Sequence, residues 1–275
     1  MFKIIDQQKL ARDITRIIVE APVIAGHAQA GQFVALVLEE TGERIPLTLA
    51  DWDKDKGTIS LIFQEVGFST KKLGALSKGD NIAHILGPLG HPTEVKKFGT
   101  VYCIGGGVGI AEVYPVSRAF KQAGNRVIGI LGARTKDALI LESQMREVSD
   151  ELFITTDDGS YAKKGFVTDS LKELFGVIEK STHTTYPDLV YSIGPVAMMK
   201  AVSDFTKSYQ VRTIVSINPI MVDATGMCGS CRCTVAGKTV FGCVDGPDFD
   251  GHQLDFQQLQ ARLNLFQKQE DTLKG

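Results

Sequence analysis

Four of the five cysteines in this chain stand in one stretch, Asp223 to Cys243, which reads DATGMCGSCRCTVAGKTVFGC. They are Cys228, Cys231, Cys233 and Cys243. Thiolates at C-x2-C spacing, on a loop that Gly226 and Gly229 let bend closely, with a further Cys one hairpin away, are a metal-ligand arrangement. No second C-x2-C and no His-x3-His completes a zinc site. An iron–sulfur cluster is the leading reading; zinc, and buried reduced thiols without metal, are the alternatives.

A [2Fe–2S] centre takes four protein ligands, and the four cysteines would make the count. The alternation over Cys231–Val235 reads as a strand, however, and Cys233 is expected there to face away from Cys231 and from the cluster. Asp223 then becomes the fourth ligand. The pattern Asp223-x4-Cys228-x2-Cys231-x11-Cys243 is close to the plant-type C-x4-C-x2-C…C spacing with Asp in first place. A carboxylate is a harder donor than a thiolate but binds ferric iron.

Nucleotide chemistry is suggested upstream. Arg44-Ile45-Pro46-Leu47-Thr48 can offer Arg44 to a phosphate while Leu47 and Thr48 meet a flat ring. Gly67-Phe68-Ser69-Thr70 stands at a helix start, where free N–H groups and a hydroxyl cradle phosphate. Gly105, Gly106, Gly107 and Gly109 sit at a strand-to-helix turn, so the backbone can approach a pyrophosphate. The spacing is not G-x-G-x-x-G: Glu112 stands where the third Gly might fall. Taken singly these are weak, since RIPLT would serve as an edge strand, GFST as a helix cap and the glycines as a tight turn. Asp157-Asp158, if it faces a ribose, favours an unphosphorylated 2′-hydroxyl and hence NAD over NADP; otherwise it is a solvated turn.

The elements that must position these residues fall into three parts. Residues 1–96 alternate over KIIDQQKL, ITRIIVEAP, QFVALVLEE, IPLTLADWD and GTISLIFQEVG, about six antiparallel strands in a small barrel or sandwich. Residues 97–215 alternate apolar strands with helical stretches, an α/β domain with a parallel sheet. Strands near 100–104, 126–131, 151–156 and 188–193 each end in small or polar residues, Gly105, Gly132-Ala133-Arg134, Asp157-Asp158 and Gly194-Pro195, at one sheet edge, where open α/β sheets bind ligands. Pro115 is expected to kink or shorten the helix over 110–124. Met198 and Met199 read as core. Residues 216–275 hold the cysteine loop and a last helix from about Leu254 to Lys268. At 275 residues, with a net charge of −2 from 30 Lys+Arg against 32 Asp+Glu, the chain is long enough for about two domains and has no basic block for nucleic acid. No run of 18 apolar residues and no signal-peptide pattern occurs, so a soluble, cytoplasmic, membrane-free protein is expected.

The order RIPLT, GFSTKKL, IGGGVGIAEVYP, LGAR, TTDDGS and SIGPVAMM resembles the ferredoxin reductase superfamily, a flavin-binding barrel followed by a nicotinamide domain. A cluster loop placed after them is similar to the electron-transfer subunits of dihydroorotate dehydrogenase. MVDATGMCGSC at 221–231 and VDGPDFDGHQLDF at 244–256 more closely resemble the small (alpha) subunits of NADH-dependent reduced ferredoxin:NADP oxidoreductases, which carry Asp in place of the first Cys. The resemblance covers essentially the whole chain. It implies an antiparallel FAD-binding barrel over 1–96, an NAD-binding domain over 97–215 and a [2Fe–2S] module over 216–275. By position, Arg44, Pro46, Leu47 and Thr48 would hold the flavin, with Gly67, Ser69 and Thr70 at its pyrophosphate. Gly105, Gly106, Gly107, Gly109, Arg134, Asp157 and Asp158 would line NAD(H), and Asp223, Cys228, Cys231 and Cys243 would bind the cluster. Glu112 stands where the superfamily often has Pro and is given no catalytic role.

The implied activity is electron transfer between NAD(H), FAD and the cluster, with no general base required. The implied partner is a larger subunit with flavin and further iron–sulfur clusters, through which a heterodimer meets ferredoxin and NADP and couples them to NADH, by bifurcation at a flavin or by simple transfer. The alternatives are the electron-transfer subunit of dihydroorotate dehydrogenase, which Cys in place of Asp223 would have favoured, and a nucleotide-binding redox module without turnover.

Overall fold

In the computed structural model, which describes residues 1–40, 42–180 and 185–265, the alternating N-terminal runs are antiparallel strands. They are β1 (Phe2–Ala11), β2 (Ile14–Glu20), β3 (Phe33–Val37), β4 (Ile45–Asp53) and β5 (Thr58–Gln64), followed by β6 (Asn81–Ile82) and β7 (His84–Leu89). Helix α1 (Pro22–His27) lies between β2 and β3, and α2 (Phe68–Ala75) between β5 and β6. The sheet order is β6-β1-β2-β5-β4-β3-β7. Only Ala83 separates β6 from β7, yet they lie at opposite ends of that order, so the sheet curls into a near-closed barrel. Ile4, Ile17, Leu36, Leu49, Ile59 and Leu61 fill it, fully buried. Each such side chain withdrawn from water contributes roughly 1.5–3 kcal/mol. β3 is covered on both faces: Val34 and Leu36 face the barrel core, while Phe33 and Ala35 join a second apolar cluster outside it.

Residues 94–216 form the parallel sheet. Its strands are β8 (Thr100–Gly106), β9 (Arg126–Ala133), β10 (Glu151–Thr156), the short β11 (Lys163–Lys164), β12 (Leu189–Ile193) and β13 (Thr213–Ser216). Helices α3 (Ile110–Gln122), α4 (Glu142–Val148), α5 (Val167–Glu179) and α6 (Val196–Ser208) connect them. The order runs β11-β10-β9-β8-β12-β13. From β8 the chain builds outward through β9 and β10, then returns to the other side of β8 with β12, so the topology reverses between β8 and β12. α3 buries Ile110, Val113, Val116 and Phe120 at helical spacing. It runs on through Pro115, which neither ends it nor shortens it below 13 residues. α5 is capped where the Asp169 carboxylate accepts the Phe166 N–H at 2.8 Å.

The cysteine stretch then folds as a hairpin, β14 (Arg232–Val235) with β15 (Lys238–Phe241). Its two-residue turn places Ala236 (φ 51°) and Gly237 (φ 74°) in the left-handed region, as a tight hairpin demands. β16 (Asp248–Asp250) extends the parallel sheet beyond β13, and the Gly251 N–H donates to the Thr213 carbonyl at 2.9 Å. Helix α7 (Phe256–Leu263) is capped by the Asp255 carboxylate, which accepts from Gln258 N–H at 2.8 Å. The end of the helix expected near Lys268 lies outside the described residues. Two compact units result: Met1–Thr93, Ile217–Asp248 and residues 254–265 in one, Glu94–Ser216 with Phe249–Gln253 in the other. Of the segment 216–275, expected as a module of its own, the described residues are divided, the hairpin and helix going with the barrel and the return strand with the parallel sheet. Among the described residues no helix is long and apolar enough to cross a membrane.

Candidate functional site

The loop from Asp223 to Cys231 is shaped by the Asp223 carboxylate. Its Oδ1 accepts the Thr225 N–H at 2.8 Å, and its Oδ2 accepts those of Met227 at 3.0 Å and Cys228 at 2.7 Å. These amide donors, Thr225 foremost, hold the carboxyl below its ordinary range. Gly226 has φ +89°, and a Cβ there would stand 2.5 Å from Val244 Cγ2; the close wrap of the loop needs glycine. The Cys231 and Cys243 sulfurs lie 3.2 Å apart, buried among Phe33, Ala35, Met221 and Ala224. Amides face two of the sulfurs: Ser230 N–H donates to Cys228 Sγ at 3.4 Å and Cys243 N–H to Cys231 Sγ at 3.5 Å. Cys228 is exposed, and the Ser230 hydroxyl and N–H hold its thiol below the usual range. Burial pushes the Cys243 thiol up to about 12.

Each iron of a [2Fe–2S] rhomb is completed by two protein ligands. Of the four residues expected as ligands, Asp223 and Cys228 are joined by the 2.7 Å bond from the Cys228 N–H and Cys231 and Cys243 by their sulfur contact; as ligands, each pair would complete one iron. Three thiols and one carboxylate, with amides already aimed at two sulfurs, suit iron in such a cluster. The two pairs stand apart: among the described residues no three His, Cys, Asp or Glu side chains converge on one point.

The ground for setting Cys233 aside does not hold. Residues two apart on a strand share a face, and Cys231 lies in the turn before β14 rather than in it. What distinguishes Cys233 is its setting. It pairs with Val240 across the hairpin, burial pushes its thiol up to about 11, and it is absent from the group that packs with Cys231 and Cys243.

The RIPLT strand lies on the same side of the barrel as this loop. In the β3–β4 register Thr48 stands opposite Phe33, Leu47 opposite Val34 and Pro46 opposite Ala35. Directly paired residues share a sheet face. Pro46 and Thr48 therefore share the outer face with Phe33 and Ala35, which pack on the Cys231–Cys243 pair. Leu47 packs against the barrel core, so the side chains of Leu47 and Thr48 do not meet a ring together. The Arg44 guanidinium donates to the Asp223 backbone carbonyl, tying this strand to the cysteine loop. At the start of α2, Thr70 Oγ1 accepts the Gly67 N–H at 3.0 Å, and the Ser69 hydroxyl donates to Glu43.

The glycine turn occupies the reversal point between β8 and β12. A Cβ on Gly109 would lie 2.6 Å from the Ile193 carbonyl oxygen, one on Gly106 2.4 Å from Met198 Sδ, and one on Gly105 2.8 Å from Val113 Cγ1. These three close the turn against its neighbours. Gly107 differs: its φ is +58° and a Cβ there would meet nothing within 4 Å, which leaves its backbone open to a ligand. Arg134, Asp157 and Asp158 are exposed at the same strand ends. Asp158 Oδ1 accepts both the Ser160 N–H at 2.9 Å and its hydroxyl at 2.7 Å, so it shapes its own turn. Phe33 and Ala35 were not anticipated. The uninterrupted apolar run FVALV was their signal, since a strand buried on both faces reads that way.

A near-closed antiparallel barrel, a parallel sheet with a glycine-lined reversal point and a thiol-rich loop on the barrel's outer face define an electron-transfer flavoprotein of the ferredoxin reductase type. Residues 218–255 match the iron-sulfur cluster binding domain of dihydroorotate dehydrogenase B, and residues 103–204 the oxidoreductase NAD-binding domain. The chain is 43% identical over 268 residues to a dihydroorotate dehydrogenase B (NAD(+)) electron transfer subunit homolog of Thermotoga maritima, covering 98% of this chain and 92% of that one. It is 30% identical to the corresponding electron transfer subunit of Bacillus mycoides, over 90% and 94% of the two chains. A solved structure of NADH-dependent reduced ferredoxin-NADP oxidoreductase, described in terms of flavin-based electron bifurcation, contains a chain 42% identical to this one. Its TM-score is 0.91, with 99% of this chain and 96% of that chain covered. The ferredoxin reductase of carbazole 1,9a-dioxygenase, 18% identical with a TM-score of 0.61 over 76% of this chain and 64% of that one, shares the fold. This chain belongs to the family of dihydroorotate dehydrogenase B electron-transfer subunits and their homologs. Its cofactors are a [2Fe–2S] cluster, NAD(H) and FAD.

Proposed function

We propose that this chain is the small subunit of a cytoplasmic, NADH-dependent ferredoxin:NADP oxidoreductase, passing electrons between NAD(H) and a larger partner that carries flavin and further iron–sulfur clusters. The observation that carries the reading is the shared outer face of β3 and β4, where Pro46 and Thr48 of the flavin motif stand opposite the two residues, Ala35 and Phe33, that pack on the Cys231–Cys243 pair. Bound FAD would convert between the hydride of NAD(H) and the single electrons of the cluster. Arg44, Pro46, Leu47 and Thr48 orient the flavin, Leu47 through its backbone, with Gly67, Ser69 and Thr70 at its pyrophosphate. Gly107 receives the nicotinamide nucleotide on its open backbone, while Gly105, Gly106 and Gly109 hold the turn in shape. Phe33 and Ala35 exclude water between flavin motif and thiols, which keeps the local dielectric low. Asp223, Cys228, Cys231 and Cys243 ligate the cluster. The exposed Cys228 stands next to Met227, which is 89% exposed, and this apolar rim is where electrons leave for the partner.

The 42% identity over nearly the whole of both chains to the ferredoxin-NADP oxidoreductase structure supports this reading, as does Asp rather than Cys at position 223. The names of the Thermotoga and Bacillus relatives favour a second, in which the partner is a dihydroorotate dehydrogenase catalytic chain. Anaerobic purification from the source cell with mass spectrometry of the copurifying chain separates them. A large partner with flavin and several clusters is expected; a dihydroorotate dehydrogenase catalytic chain would overturn the first reading and leave the cofactors unchanged.

A further inference from the structure

Three arginines from three different elements donate to backbone carbonyls of one nine-residue loop. Arg44, just before β4, reaches the Asp223 carbonyl. Arg232, the first residue of β14, reaches that of Gly229 at 3.1 Å. Arg262, in the last turn of α7, reaches that of Ser230 at 2.9 Å from 32 residues away. Arg262 Nε is buried without a hydrogen-bond partner, and among the described residues no carboxylate pairs with this guanidinium. Its charge is therefore committed to the loop. In a planar trans peptide the N–H points opposite to the C=O. The carbonyl that Arg232 holds belongs to the peptide whose N–H, that of Ser230, donates to Cys228 Sγ at 3.4 Å. The carbonyl that Arg262 holds belongs to the peptide whose N–H is that of Cys231. A cation on the carbonyl polarises the peptide and strengthens its N–H as a donor.

We infer that Arg262, assisted by Arg232, is a positioning residue that raises the reduction potential of the cluster held by this loop. The inference rests on the ligand assignment to Asp223, Cys228, Cys231 and Cys243. One-electron reduction of the cluster adds a single negative charge at the loop, with no bond formed or broken there. A hydride from NADH would bring two electrons, and the flavin would keep the second, with the proton, until a further one-electron acceptor takes it. The half-buried Arg262 guanidinium, by its charge, and the Ser230 amide turned toward the Cys228 sulfur favour the reduced state. Arg262 is the stronger of the two because Arg232 is exposed and its charge is screened.

The test is an anaerobic potential titration of the full chain with its cofactors, read by electron paramagnetic resonance of the reduced cluster. Arg262→Gln is expected to shift the reduction equilibrium about tenfold toward the oxidised state, which is ~59 mV lower for one electron, with cluster content and g-values unchanged. Arg262→Lys should return most of the shift, and Arg232→Gln should move the potential the same way by about threefold. A fully loaded Arg262→Gln protein with the wild-type potential would overturn the inference. If both Arg262 variants lose the cluster, Arg232→Gln decides, and an unmoved potential there also overturns it. Absence of any cluster signal in the wild type would instead defeat the ligand assignment on which it rests.

Discussion

Gly107 and Gly109 stand two residues apart in one turn, and the structure gives them different duties. Placing a Cβ on Gly109 brings it 2.6 Å from the Ile193 carbonyl oxygen and 2.9 Å from Gly194 Cα. Both are backbone atoms at the reversal point, so no side chain can swing aside and β12 must move away from α3. Overpacking of this kind costs about 1–3 kcal/mol, a fall in Tm of roughly 2–12 °C for a unit of this size. On Gly107 the added methyl meets nothing within 4 Å, and only its left-handed φ of +58° penalises alanine, by about 1–2 kcal/mol. If the nucleotide lies on the Gly107 backbone, that methyl stands where the pyrophosphate must approach, and NADH affinity should fall at least about tenfold, or 1.4 kcal/mol. The assay measures thermal unfolding and NADH binding by calorimetry in Gly107→Ala and Gly109→Ala, with flavin and cluster content as controls. Gly107→Ala should keep both cofactors and most of its stability while losing NADH; Gly109→Ala should lose the greater stability. A Gly107→Ala protein that binds NADH as tightly as the wild type would refute the placement of the nucleotide.

Cys233→Ser should keep the visible spectrum of the cluster, whereas Cys231→Ser should abolish it; loss in the Cys233 variant would replace Asp223 as the fourth ligand. NADH should show a lower KM than NADPH, with Asp157→Ser narrowing the difference, and a clear NADPH preference would contradict the assignment of Asp157 to the ribose. His252 pins the return segment to α6 through the Thr206 hydroxyl at 3.0 Å. Burial, aided by Lys207 and against the raising effect of Asp250, holds its pKa below the ordinary 6.5. Because the folded pKa is the lower one, the unfolded chain takes up the proton first, and stability is lost as pH falls below about 6.5. Denaturant midpoints between pH 8 and 5 should therefore drop more in the wild type than in His252→Gln; equal slopes would contradict this.

Four strands of the parallel sheet, β8, β9, β10 and β12, were legible because each ends in a mark that the ligand edge requires, Gly105, Gly132, Asp157 and Gly194 all falling at one side, whereas β11, β13 and β16 carry no such mark. The barrel strands were legible from alternation, apart from β6 and β7, which are short and carry Gly87 and Pro88 where β-branched residues would have signalled a strand. The cysteine loop announced its chemistry through spacing alone. Its surroundings did not, because Arg262 reaches a backbone carbonyl and no side-chain type at Ser230 advertises that contact. The division of residues 216–265 between two units was also hidden, since Phe249–Gln253 joins the sheet through backbone hydrogen bonds that any sequence could supply. Cys233 was set apart on a misapplied period, since residues two apart on a strand share a face; what separates the two is that Cys231 lies in the turn before β14 while Cys233 lies within it.

This chain is an electron-transfer subunit, and its electrons are expected to pass between NAD(H) and the cluster by way of FAD. The most direct measurement mixes the oxidised holoprotein anaerobically with NADH and, separately, the reduced holoprotein with NAD+, then follows flavin absorbance and, after rapid freezing, the paramagnetic signal of the reduced [2Fe–2S] cluster. In at least one direction the cluster should change redox state within milliseconds to seconds, as gauged against typical turnover rates, and removal of FAD should abolish the change. A cluster that dithionite reduces but that stays unmoved by either nucleotide in FAD-replete protein would contradict the account.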